Sequence, residues 1–221
     1  MKKLLFLLLF MVVAVMGNAQ VWRSAKADRP VTYGIQAGAF ASQATNVYYS
    51  EYKVGWKVGA TVDINVNKSF YVQTGLNLAQ KNMSFGYLST SLYPKPSLKH
   101  ESYDASPLVV EVPVLASIRL HTNGKVKWNL HVGPYFSIGV GGSRDGIYST
   151  LDTERDIKGE VFGDYIKRFN YGVNAAAGIE VSGFIAEIDY TRSLGNIAGT
   201  NIERIVDMQH EGIGLKIGYK F

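Results

Sequence analysis

Residues 53–66 read KVGWKVGATVDINV, and they are apolar at every second position. The apolar set is Val54, Trp56, Val58, Ala60, Val62, Ile64 and Val66. The residues between them are charged, polar or glycine, which is the period of a β-strand with one apolar face. A run of 14 residues is longer than a typical strand of a soluble sheet, which has about five or six. The stretch therefore predicts a long strand whose apolar face has an unusual environment.

The same alternation occurs in seven further segments. They are 31–39, 70–78, 110–120, 126–138, 169–181, 184–190 and 213–221. The three connections at 67–69, 121–125 and 182–183 are short, whereas those at 42–52, 88–107, 143–168 and 195–211 are long and polar. Outer-membrane barrels have this layout, with short turns in the periplasm and long loops outside. We therefore predict an all-β fold, an eight-stranded antiparallel up-and-down transmembrane β-barrel.

A soluble eight-stranded barrel of the lipocalin type also alternates, but its apolar face points inward. Two features favour the membrane. The polar face is rich in glycine, which weakens a solvated strand but leaves room for large side chains inside a narrow lumen. The apolar face carries aromatics at two depths. One set is Trp128, Phe184, Phe70, Tyr219 and Phe221, and the other is Trp56, Phe136, Tyr171 and Phe169. Their separation along the strands corresponds to roughly 25 Å, the height of the apolar band between two aromatic girdles.

The N-terminus predicts export. Lys2 and Lys3 precede an apolar run from Leu4 to Met16, and Gly17-Asn18-Ala19 supplies the small residues of a cleavage site. We therefore expect a cleaved signal peptide at 1–19, a short periplasmic segment at 20–30 and a barrel at 31–221. Cysteine is absent, which excludes disulfides and thiol chemistry. Without the two signal lysines the formal charge of +5 falls to +3, and no cluster of basic residues points to nucleic acid.

The inward set predicts a charged lumen. Its cations are Lys57, Arg119, Lys127, Lys216 and Lys220, and its anions are Asp63, Glu111, Glu180, Glu187 and Asp189. Because an eight-stranded barrel is just wide enough for side chains, we expect these groups to neutralise one another and fill the lumen. Lys216 should lie near Glu187 or Asp189 on the neighbouring strand. An ion path lined by the same charges is the alternative.

Little in the chain points to catalysis. His131 is expected to fill the lumen, while His100 and His210 fall on predicted outer loops and His121 on a turn. Asp207 and His210, with Ser193 or Thr200 as a nucleophile, would form the only conceivable rim enzyme, but a triad is recognised by geometry. Gly139-Val140-Gly141-Gly142 lacks the helix that a phosphate loop needs. We predict no catalytic, cofactor-binding or metal-binding residues and no cofactor.

Several short motifs resemble the PorT-like family of small outer-membrane β-barrels. They are Glu111-Val112-Pro113, Gly133-Pro134-Tyr135, Gly178-Ile179-Glu180, Leu194-Gly195-Asn196 and the aromatic-ended last strand. The resemblance implies an outer-membrane location and assembly by the barrel-insertion machinery, and some members of the family are accessories of type IX secretion. It carries over no functional residue.

The expected function is that of a non-enzymatic integral outer-membrane barrel acting through its outer loops or as an accessory of an envelope or secretion complex. A rim enzyme acting on lipid or peptide, and a small gated pore, are the alternatives. The expected partners are outer-membrane lipid, lipopolysaccharide and an envelope protein. The alternation of its strand puts Arg192 on the lipid-facing side, near the outer end of the strand, where it would meet lipopolysaccharide phosphates.

Overall fold

A computed structural model describes residues 29–91, 97–121, 126–149, 154–200 and 207–221. Within these ranges lie ten strands: β1 (Val31–Thr45), β2 (Tyr49–Asn65), β3 (Phe70–Gln80), β4 (Met83–Ser91), β5 (Ser97–His121), β6 (Val126–Ser149), β7 (Glu154–Glu160), β8 (Phe169–Val181), β9 (Phe184–Ser193) and β10 (Gln209–Lys220). In these ranges no helix is long and apolar enough to cross a membrane. The expected signal peptide lies outside the described residues and stays a prediction.

Eight of these strands close a ring. Its order is β1–β2–β3–β5–β6–β8–β9–β10 and back to β1, and every neighbouring pair is antiparallel. The ring closes where Ile35 of β1 lies opposite Tyr219 of β10. At that seam the backbone amide of Phe221 donates to the carbonyl of Tyr33 at 2.8 Å. The predicted eight-stranded barrel is confirmed, and each predicted strand is a member of the ring.

The apolar face of the ring points outward, as the alternation predicts. On β1, Tyr33 and Ile35 are exposed on the outer surface, while Gly34 and Gln36 are buried in the lumen. The two sets of aromatics face the same way, with Trp128, Phe184 and Phe221 at the turn end and Trp56, Phe136 and Phe169 at the loop end. A soluble barrel would hide these side chains in its interior, so the lipocalin-like alternative is wrong.

The prediction of long polar loops is wrong for much of three of the four segments, 42–52, 88–107 and 143–168, because strands continue into them. Residues 42–45 and 49–52 belong to β1 and β2, so only 46–48 turn between them. Strands β5 and β6 continue into the predicted loops and pair with each other as far as His100 and Ser149. Strand β4 joins β2 and β5 there, and β7 joins β6. Apolar alternation marks only the part of a strand that meets lipid, whereas backbone pairing continues beyond it.

Two described turns explain how the strands reverse at the opposite end. Ser182 and Gly183 both have positive φ, at 53° and 91°, as a two-residue hairpin of right-handed twist requires. In the β2–β3 turn, Oδ1 of Asn67 accepts hydrogen bonds from the amides of Ser69 and Phe70, both at 2.8 Å. Residues 122–125 of the predicted short connection at 121–125 fall outside the described residues.

Candidate functional site

The upper half of the lumen is held by a buried four-charge cluster. Nζ of Lys57 lies 3.2 Å from Oε1 of Glu111 and 3.1 Å from Oδ2 of Asp189. The other oxygen of Glu111 accepts from Nζ of Lys81 at 2.7 Å. Each side chain is at most 4 % exposed. Two ammonium groups therefore share two carboxylates, and this pairing offsets the large cost of desolvating them.

The cluster is also walled by aromatic rings. Nζ of Lys57 lies 4.7 Å from the centre of the Phe40 ring, and Nζ of Lys81 lies 4.7 Å from that of Tyr135. Ammonium groups at such distances are attracted to the ring faces. The rings also fill the cross-section of the lumen next to the charges.

A second group of ion pairs fills the turn end. Oδ2 of Asp63 lies 2.6 Å from Nζ of Lys220 and 3.3 Å from a guanidinium nitrogen of Arg119. Glu180 accepts from Lys127 at 2.7 Å and also lies 3.6 Å from Nε of Arg119. The chain of contacts thus crosses the lumen from β2 to β10, β5, β8 and β6. It leaves each carboxylate with at least two cationic neighbours.

Between these groups lies a histidine bridge. Nδ1 of His131 is 2.9 Å from Oγ of Ser117, and its Nε2 is 3.1 Å from Oε1 of Glu187. Nζ of Lys216 lies 3.3 Å from the other oxygen of Glu187, which confirms the predicted pairing. His131 therefore fills the lumen as a hydrogen-bonded side chain, in agreement with the sequence prediction.

Every ion-paired residue described above, except Lys81, was predicted from the sequence to face the lumen. That lysine follows the end of β3 at Gln80 and lies outside the predicted strand 70–78. Its odd position would have identified Lys81 as inward-facing. The odd positions of β3 face the lumen, as the burial of Tyr71, Gln73, Asn77 and Ala79 shows. The prediction stopped where the outward positions ceased to be apolar.

Glycines on the inward face accommodate rings, as predicted. A Cβ on Gly139 would lie 2.3 Å from the ring of Phe162, and one on Gly212 would lie 2.5 Å from the ring of Phe40. No larger residue fits at either position without moving a buried aromatic. Residues 139–142 lie within β6, so the predicted strand 126–138 continues through these glycines.

The loop end of the lumen is closed by an apolar cluster that we call the mouth cap. It consists of segments 161–168 and 194–200 together with Met208. The buried members are Val161, Phe162, Ile166, Ile197, Ala198 and Met208, and they pack on Ala44, Ala79, Met83, Phe85, Tyr103, Ala105 and Val109 of the strands. Both segments fall mainly in predicted polar loops, so the cap was not predicted. The apolar residues within those loops, such as Val161, Phe162 and Ile197, were the available signal.

Backbone hydrogen bonds tie the two segments of the mouth cap together. The amide of Lys167 donates to the carbonyl of Ile197 at 2.8 Å, and that of Gly199 donates to the carbonyl of Tyr165 at 2.8 Å. Oδ1 of Asn196 accepts from the amides of Ala198 and Met208. The cap is therefore an ordered layer across the mouth, anchored to β10 through Met208.

The family comparison agrees with this architecture. Residues 18–199 match the family model of the outer membrane protein β-barrel domain. The chain belongs to this family of outer-membrane β-barrels. It is accordingly an integral outer-membrane protein. No curated protein matches the sequence.

Solved barrels of similar size align with most of the chain. The attachment invasion locus protein Ail of Yersinia pestis is 14 % identical, covers 87 % of this chain and 100 % of its own, and has a TM-score of 0.41. Neisserial surface protein A is 10 % identical with 87 % and 100 % covered and a TM-score of 0.45. OprG of Pseudomonas aeruginosa is 11 % identical with 89 % and 97 % covered and a TM-score of 0.45.

The barrel does not bring the suggested rim triad together. His210 was predicted on an outer loop, but it lies in β10, 1 % exposed, stacked on Phe40 with ring centres 6.0 Å apart. Asp207 is exposed, and no described residue is hydrogen-bonded to either ring nitrogen of His210. Ser193 is buried, and its Oγ accepts the backbone amide of His210 at 2.7 Å. His100, also predicted on a loop, lies within β5.

Metal binding has no visible basis in the described part of the barrel. No group of three or more histidine, aspartate or glutamate side chains is arranged to hold an ion there. The carboxylates of the lumen are instead engaged by lysine and arginine.

Proposed function

We propose that this protein is a non-enzymatic, non-conducting outer-membrane barrel that acts through its outer surface, as an accessory of an envelope or secretion complex. The observation that carries the proposal is the double closure of the lumen. Ion pairs span it from Asp63 at the turn end to Glu111 in the upper half, and the mouth cap covers it above. The outer face and the strands beyond the membrane remain for contact with a partner.

Those outer strands form a platform rather than loose loops. β4, β5, β6 and β7 are paired side by side above the ring, and β4 also pairs with β2. Binding residues carried on a rigid scaffold need less ordering when a partner docks, which supports a role in binding.

Planar-bilayer recording tests the closed lumen. Purified barrel should give no steady openings under an applied voltage. Steady single-channel steps from the wild-type chain would overturn the non-conducting part of the proposal and favour the gated pore.

Site-specific photo-crosslinking in intact cells tests the role of the outer surface. A crosslinking residue at Tyr48, at the tip of the β1–β2 hairpin and 71 % exposed, should give a defined protein adduct. Leu215, which faces the lipid band and is 60 % exposed, is the matched control. Adducts of the same kind at both positions, or at neither, would contradict a partner at the outer surface.

The PorT-like resemblance narrows the proposal to type IX secretion. Deletion of the gene should then reduce the amount of pathway cargo in the medium, and the wild-type chain should restore it. Normal cargo export in the deletion strain would remove the secretion assignment while leaving the partner proposal to the crosslinking test.

A further inference from the structure

One patch of the outer wall carries polar and charged side chains, although the wall around it is mainly apolar. We call it the Glu211 cluster, and its members are Gln43, Tyr52, Tyr190, Arg192 and Glu211. They come from four consecutive strands of the ring, β2, β1, β10 and β9. Each occupies an outward-facing position of its strand. At this end of the barrel the wall elsewhere shows apolar or aromatic side chains such as Ile138, Phe169 and Tyr171.

The height of the cluster places it at the outer membrane interface. Glu211 lies ten residues along β10 from Phe221, the last aromatic of the turn end. At about 3.3 Å per residue and a tilt near 40°, this separation is roughly 25 Å, the height of the apolar band. Because the turns of such barrels are periplasmic, the cluster faces the headgroups of the outer leaflet.

The carboxylate of Glu211 organises the cluster. Its Oε1 accepts from Nε2 of Gln43 at 2.6 Å and from the hydroxyl of Tyr52 at 3.3 Å. Its Oε2 accepts from the hydroxyl of Tyr190 at 3.2 Å. All three donors are neutral, so they fix two exposed tyrosine rings beside the carboxylate and leave its charge in place.

The guanidinium of Arg192 has no such partner. Arg192 lies opposite Glu211 in the β9–β10 pairing, yet within the described ranges no carboxylate is at ion-pair distance from it. An exposed arginine at this height on the outer wall lies among the lipid headgroups, where an anionic group can serve as its counter-charge. In the outer leaflet that counter-charge is a lipid phosphate, which guanidinium groups bind through paired hydrogen bonds.

We propose that the Glu211 cluster is a docking site for the phosphorylated sugar headgroup of an outer-leaflet lipid, the lipid A part of lipopolysaccharide. The phosphate binds Arg192. Hydroxyl or amide groups of the sugar donate to Glu211, and the sugar rings lie against Tyr52 and Tyr190. A carboxylate beside the arginine disfavours a lipid that offers only phosphate, because such a headgroup brings negative charge to Glu211 without donors.

The test uses the full barrel in lipid nanodiscs, with retention of lipid measured by native mass spectrometry. The probes are bis-phosphorylated lipid A, dephosphorylated lipid A and phosphatidylglycerol. Arg192→Gln should reduce retention of lipid A about tenfold or more, because the variant loses a hydrogen-bonded charge contact with the phosphate. Arg192→Lys should restore part of it. Glu211→Gln should bring phosphatidylglycerol retention closer to that of lipid A.

Lys158→Gln is the matched control, because it removes one exposed positive charge on β7, away from the cluster. It should leave lipid A retention unchanged. The proposal is overturned if Arg192→Gln retains lipid A like the wild type, or if the wild-type barrel holds dephosphorylated lipid A or phosphatidylglycerol equally well. Normal lipid A retention by Arg192→Gln, together with a protein adduct from a crosslinking residue placed at Tyr190, would overturn the proposal and assign the surface to a protein partner.

Discussion

The lumen within the membrane and the layer beneath the mouth cap have interiors of opposite polarity, although the same strands line both. Along the lower part of β5, Glu111 and Arg119 point inward and Val112 points outward. Higher on the same strand Tyr103 is buried and Asp104 is exposed. The backbone alternation is unchanged, so the medium outside the wall decides which set is apolar. Lipid draws apolar side chains outward, whereas water leaves them to pack inside.

The change of polarity coincides with a change of strand partners. β6 pairs with β8 up to Ile138, and above Ser143 it pairs with β7 instead. Between these points its register against β5 shifts, leaving Val140 as an extra residue. Bulges of this kind bend a strand and alter its neighbours. Here the bulge lies where the chain of 161–168 enters the mouth, so it marks the border between the two regions.

The largest expected effect comes from breaking the lumen cluster. Glu111→Gln leaves Lys57 paired with Asp189 alone, and among the described contacts it removes the carboxylate that is ion-paired with Lys81. Leaving a buried charge uncompensated costs about 3–5 kcal/mol. The free energy of unfolding from lipid vesicles in urea should fall by that amount, and the folded band on an unboiled gel should disappear at a lower temperature.

Glu160→Gln is the control for this prediction. Glu160 is 84 % exposed and lies 3.9 Å from a guanidinium nitrogen of Arg168, so its loss should cost less than about 1 kcal/mol. If both variants unfolded at the same urea concentration, the ion pairs of the lumen would not be stabilising the barrel.

The second prediction inverts the polarity of the wall. Leu215→Arg puts a charge into the apolar band and should destabilise the barrel by about 2–4 kcal/mol, because the charge loses its hydration in lipid. Val54→Arg puts the same charge near the outer interface, where the expected cost is about 0–1 kcal/mol. Urea unfolding in vesicles measures both. Equal costs would mean that the two positions do not differ in depth.

The third prediction separates the mouth cap from the barrel. Phe162→Ala removes a ring that covers Gly139 and should loosen the cap by about 2 kcal/mol, below the usual cost for a closed core because Phe162, at 8 % exposure, is among the least buried members of the cluster. The natural chain has no cysteine, so a Met208→Cys substitution reports on access to the cap. Maleimide labelling of that thiol should be slow in the intact cap and several-fold faster with Phe162→Ala. Equal labelling rates would show that the cap does not protect the mouth.

The same two regions differ in how much of their structure could be predicted from the sequence. Inside the membrane, lipid imposes strict alternation, and the positions of Lys57, Glu111 and Lys216 followed from parity alone. Their pairing followed from the narrow lumen, which gives each charge few partners. The ring of strands and the ion pairs inside it confirm that part of the prediction.

Above the membrane the same reasoning failed because alternation no longer reports on burial there. Ile166 and Met208 each adjoin a charged residue and Ile197 follows a polar one, and only their long-range packing makes them a core. The burial of His210 was missed for the same reason, although the inward parity of β10 extends to it from Lys216. The Glu211 cluster could be predicted only in part. The alternation along its strand predicts that Arg192 faces outward, but the sequence does not tell which residues of other strands lie beside it.

The smallest expected change in the free energy of unfolding concerns the turn end, where stability depends on the backbone conformation of a turn rather than on polarity. Gly183 has φ at 91°, and a Cβ there would lie 2.9 Å from both the carbonyl oxygen of Lys220 and the ring of Tyr219. Gly183→Ala should therefore destabilise the barrel by about 1 kcal/mol in urea unfolding. Ser182→Gly is the matched control, because Ser182 also has positive φ and glycine adopts that conformation without strain. It should be neutral or slightly stabilising. If Gly183→Ala matched the stability of Ser182→Gly, the β8–β9 turn would be free to change its type, and only the lumen and the cap would determine the stability of the fold.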